Sequence, residues 1–82
     1  MRLTLTYPRL GDYHGVKMTL ICGDVFVEAD ELHDAEFCGY VGLTDTHARV
    51  AADTTGRRFA LLPDDATALR VVVRAHLGVP ES

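Results

Sequence analysis

Residues 2–62 run as short stretches in which apolar and polar side chains alternate, each stretch ended by glycine, proline or an Asp/Thr-rich turn. In an extended strand successive side chains point to opposite faces, so alternation marks strands with one buried and one wet face. Strands of that kind are stable only when they pair in a sheet and something covers the apolar face. This pattern confines the chain to a small sheet fold and leaves the final segment as the natural cover.

Residues 2–7 place Leu3, Leu5 and Tyr7 on one face and Arg2, Thr4 and Thr6 on the other. Pro8 is expected to end that strand, with 9–15 as a loop. Residues 16–22 and 25–29 flank Gly23-Asp24, the composition of a type I′ or II′ hairpin turn. Residues 28–36 are polar and read as a short helix or a solvated excursion. In 37–43, Gly39 and Gly42 interrupt a strand pattern and point to a bulge or a close backbone approach. Residues 47–52 and 57–62 flank Asp53-Thr54-Thr55-Gly56, a second hairpin.

The last segment has two periodicities. Ala66, Leu69, Val72, Val73, His76 and Leu77 share one helical arc, whereas Leu69, Val71, Val73, Ala75 and Leu77 alternate as in a strand. The ends favour helix: Asp64 is a good N-cap, Asp65 suits the first turn, and Gly78 with Pro80 forms a stop. The expected fold is α+β, a single globular domain over 1–82. Its core element is a small antiparallel curled sheet or open β-barrel of about five strands, with one C-terminal helix.

Charge and size narrow the function. At 82 residues the chain has room for one modest core, and a large enclosed cleft would hollow it out. The net charge of −4 disfavours general affinity for nucleic acid or anionic membrane. No secretory pattern or bilayer-length apolar run is present, so a cytoplasmic protein with reduced Cys22 and Cys38 is expected. The alanine-rich, arginine-over-lysine composition is that of a high-GC coding sequence, as in bacteria and their phages.

Catalytic and metal patterns are weak. Cys22, His33, Cys38 and His47 have the spacing C-x10-H-x4-C-x8-H, without the close cysteine knuckle of structural zinc. Asp12-Tyr13-His14 and Asp45-Thr46-His47 put acid beside imidazole, but triads are assembled from distant segments. The one serine is Ser82, and no phosphate-binding glycine motif occurs. The expectation is no enzyme activity, no metal and no cofactor.

The strongest anomaly is acidic. Asp24, Glu28, Asp30, Glu31, Asp34 and Glu36 fall within thirteen residues with no lysine or arginine among them, while the other 69 residues carry six acids against eight bases. Folded as a helix, the stretch would space its charges near the interval of a nucleic-acid strand; extended, it would not. The leading expectation is a non-enzymatic protein-interaction module, accessory, regulatory or inhibitory. It would bind a protein partner, preferably basic, through Asp30, Glu31, Asp34 and Glu36, with Phe37 and Tyr40 as anchors. The alternative is a small β-barrel nucleic-acid binder using Arg57, Arg58, Arg70 and Arg74. A homodimer through an exposed strand edge is compatible with either.

Overall fold

The computed structural model describes residues 2–80. Six strands, β1 (Arg2–Leu10), β2 (Tyr13–Ile21), β3 (Asp24–Glu28), β4 (Glu36–Leu43), β5 (Arg49–Ala52) and β6 (Arg58–Leu62), precede one helix, α1 (Asp65–Leu77). All neighbouring strands are antiparallel and lie in chain order, so the sheet is a meander with β1 and β6 at its edges. The two edges do not meet, so the sheet is open and not a barrel. The α+β class with a terminal helix is as the sequence predicts, with six strands in place of about five. No helix among the described residues is long and apolar enough to cross a membrane.

α1 lies across one face of the sheet, chiefly over β4 and β5. Its buried stripe is Ala68, Leu69, Val72 and Val73. The stripe meets Val16, Met18 and Leu20 of β2, Val25 and Val27 of β3, and Val41 of β4 in one apolar cluster. The caps decide the ambiguous segment in favour of helix. The Asp64 carboxylate accepts the Thr67 N–H at 2.8 Å, and Gly78, at φ 72, lets the chain turn back so that the Val79 N–H donates to the Arg74 carbonyl at 2.9 Å.

Several local expectations change. β1 runs through Pro8 to Leu10, and 9–15 is not a loop: Gly11-Asp12 alone forms the turn to β2. Proline is tolerated there because β1 is an edge strand, where a missing N–H breaks no ladder bond on the open side. The β2–β3 turn falls one residue early, on Cys22-Gly23, with φ 48 and 87. Positive φ at both central residues is the type I′ geometry whose twist matches the flanking strands. Residues 29–35 form turns and no helix, so the condition for nucleic-acid mimicry is not met. Its acids satisfy backbone and ring donors of neighbouring elements, which competes with helical hydrogen bonding.

Two bulges shape the sheet. One, between Val25 and Phe26, gives β4 the extra residue Cys38; the other, between Ala51 and Ala52, gives β6 the extra residue Phe59. Bulges bend a strand and re-aim its side chains. The meander also gathers the β1–β2 turn, the β3–β4 loop, the β5–β6 turn and the C-terminus of α1 at one end of the sheet, here the loop end.

Candidate functional site

The acidic segment is divided by the fold. Asp30 and Glu31, in the β3–β4 loop, clip that loop to the first residues of β2. The His14 backbone N–H donates to Asp30 Oδ1 at 3.0 Å and Glu31 Oε2 at 3.2 Å, and His14 Nδ1 lies 3.3 Å from Glu31 Oε1. The Asp30 N–H returns a bond to the His14 carbonyl at 3.2 Å. A hydrogen bond with Glu31, then the His14 backbone N–H and ring, hold the Asp30 carboxyl below its ordinary range. Asp34 is exposed further along the loop.

Glu36 leaves this group. Its carboxylate lies 3.0 Å from His76 Nε2 and pins the start of β4 to the last turn of α1. The next residue, Phe37, emerges on the opposite, helix-free face, as alternation in a strand requires. There Phe26, Phe37 and Tyr40 form an aromatic ridge: ring centroids are 5.7 Å apart for Phe26–Phe37 and 5.1 Å for Phe37–Tyr40, the latter edge-on. Tyr40 is 39% exposed. Asp24 and Glu28 flank Phe26 on the same face of β3, with Lys17 opposite Glu28. Of the six predicted partner-binding residues, Asp30, Glu31 and Asp34 share the loop, Phe37 and Tyr40 share the helix-free face, and Glu36 belongs to the helix side. Phe26 joins Phe37 and Tyr40 without being among the residues the acidic segment singles out; its sequence signal is its position out of phase with buried Val25 and Val27.

The chemistry-bearing groups elsewhere are scattered. Cys22, His33, Cys38 and His47 are not brought together; among the described residues, the one group of three potential metal ligands within 4.8 Å of one another is the exposed set His14, Asp30 and Glu31. Burial, then the nearby Glu36 charge, pushes the Cys38 thiol up to about 12, so it stays protonated and is a poor nucleophile at neutral pH. Arg57 and Arg58 line a cleft of about 530 Å³ with Asp53 and His76. Arg70 and Arg74 do not line it; they donate to Thr67 Oγ1 at 3.4 Å and the Pro80 carbonyl at 3.3 Å. Of the four arginines of the nucleic-acid alternative, this cleft thus brings together Arg57 and Arg58 alone. An unforeseen pair, Arg49–Asp65 at 2.7 Å, ties β5 to the first turn of α1.

Three carboxyls are held low by native hydrogen bonds. For Asp30 the cause is Glu31 and His14; for Asp53 it is the Thr55 hydroxyl, then the Arg57 and Thr55 N–H groups; for Asp64 it is Thr67 at the helix cap. A carboxyl whose folded pKa is depressed stabilises the fold above its unfolded value of about 3.9 and loses that contribution as pH falls through the lower folded value. The melting temperature is therefore expected to be flat from neutrality to about pH 5 and to decline below about pH 4. Asp53→Asn should make the acid-side slope shallower in a thermal melt series.

A scan against protein-family models, a search of curated proteins and a search of solved structures each return no match to this chain.

Proposed function

We propose that this chain is a small, non-enzymatic protein-binding module whose β3–β4 hairpin carries recognition. The observation that carries the reading is the aromatic ridge Phe26–Phe37–Tyr40, which lies on the face that α1 does not cover, at the foot of the acidic loop. Clustered aromatic side chains are rigid anchors with little conformational entropy to lose on binding. Asp30, Glu31 and Asp34 add a local negative field, and the clip of Asp30 and Glu31 to His14 keeps the loop ordered before a partner arrives. The partner that fits is a basic protein segment that lays an apolar side chain on the ridge and its positive charges against the loop.

The test is capture of a partner from the native host at low and high salt, followed by the same capture with two variants. Charge steering predicts capture that weakens as salt rises. Tyr40→Ala should reduce it at least tenfold, and Asp30→Asn/Glu31→Gln/Asp34→Asn should reduce both the capture and its salt dependence. Arg70→Gln/Arg74→Gln should leave it unchanged. Capture indifferent to the first two variants, or no partner captured by the wild-type protein, overturns the reading.

A further inference from the structure

We infer that β6 pairs with β6 of a second copy of this chain, antiparallel and centred on Ala60. β6 is an edge strand, so half of its backbone N–H and C=O groups point away from β5 and, among the described residues, have no strand beside them. The two edges of the sheet differ in how they are defended. β1 carries Pro8 within the strand and charged Arg2 and Arg9, the usual devices against edge pairing. β6 reads Arg-Phe-Ala-Leu-Leu: its defences are one arginine at its start and the bulge at Phe59, it has no lysine or proline, and it leaves Phe59 45% and Leu61 70% exposed.

The charges around the strand identify the occupant. Arg57 and Arg58 precede its apolar residues, and Asp64 and Asp65 follow them. In antiparallel self-pairing about Ala60, Phe59 faces Leu61 of the second copy, Arg58 faces Leu62 and Arg57 faces Pro63. The diagonal neighbour of Arg58 is then Asp64, a distance that a long side chain spans in a sheet. Each strand thus brings its basic end to the acidic end of its mate, twice over by symmetry. A parallel arrangement would set the arginines of one copy against those of the other. Asp64 holds Thr67 through Oδ1, and Asp65 holds Arg49, so Asp64 is the carboxylate better placed to meet a second guanidinium. Beside the strand, an open groove of about 520 Å³ bordered by Val50, Phe59 and Leu61 offers a mainly apolar seat for Leu61 of the mate. A two-fold axis normal to the sheet turns both aromatic ridges to the same side of a continuous twelve-stranded sheet.

Sedimentation equilibrium across micromolar concentrations reads this directly. The wild-type chain is expected at twice 9.0 kDa. Leu61→Lys adds a charge at an exposed edge position and should weaken association at least tenfold, with an unchanged circular dichroism spectrum. Arg57→Glu/Arg58→Glu, which sets like charges together, should do the same, most strongly at low salt. Asp64→Asn keeps a capping side chain while removing the charge, and should weaken the dimer several-fold. Tyr40→Ala should not change it. A wild-type chain that stays monomeric into the millimolar range, or a dimer indifferent to Leu61→Lys, overturns the inference.

Discussion

Gly39→Ala is expected to destabilise the protein by more than about 3 kcal/mol and to leave little folded material at 37 °C. Two effects act at one position. Gly39 sits at φ 148, a region that side-chain-bearing residues rarely adopt, and a Cβ there would lie 2.2 Å from the Ala52 carbonyl oxygen. The obstacle is backbone, so no rotamer change relieves it; β4 and β5 would have to separate where Tyr40 pairs with Ala52 and Val41 with Ala51. The same Cβ would come within 3.2 Å of Val72, which seats α1 on the sheet. Gly42, three residues on in the same strand, has no atom within 4 Å of the equivalent position and no unusual φ. Gly42→Ala should therefore fall within about 0.5 kcal/mol of wild type. Urea denaturation of the pair makes the comparison, and equal, small effects would refute the close-packing argument.

That contrast also shows what alternation and turn chemistry leave undetermined. Gly39 and Gly42 have the same local signal, and only pairing with a strand ten or more residues away makes one indispensable and the other replaceable. The strands, the hairpin order and the helix with both its caps were legible because each rests on local chemistry: period two, positive-φ turn residues, Asp64 and Gly78. Pro8 ends a strand only where its missing N–H would break a ladder bond, and local chemistry does not show that β1 lies at an edge. The candidate site was legible in part. Composition locates the acids of the β3–β4 loop, but His14 reaches Glu31 across 17 residues and His76 reaches Glu36 across 40. Nothing in the spacing announces either pair. Glu36 and Phe37 are neighbours in the chain and point to opposite faces of the sheet, so a contiguous run of residues became two surfaces. Phe26 joined the second surface through a cross-strand contact with Phe37, which depends on register and on the bulge at Cys38.

The core is small enough that one side chain governs the docking of the helix. Leu69 is fully buried and, after Met18, the largest side chain sealed from solvent. It lies in the middle of the helical stripe formed by Ala68, Leu69, Val72 and Val73, whose other members are alanine and valine. These cannot extend to fill the space it would leave. Leu69→Ala therefore removes apolar burial and creates a cavity, a combination that costs about 2–5 kcal/mol. A domain of this length commonly has about 4–12 kcal/mol in total, so the melting temperature should fall by more than about 10 °C. Leu69→Met retains nearly the same volume and should cost less than about 1.5 kcal/mol. The loss should also be felt beyond the helix, because Leu69 shares one buried cluster with Val25 and Val27 of β3 and Val41 of β4. Hydrogen exchange of Leu69→Ala should accordingly show faster amides in β3 and β4 as well as in α1. A variant that melts within about 3 °C of wild type would mean that the sheet holds itself together without its helix, and the one-core account of this fold would be wrong.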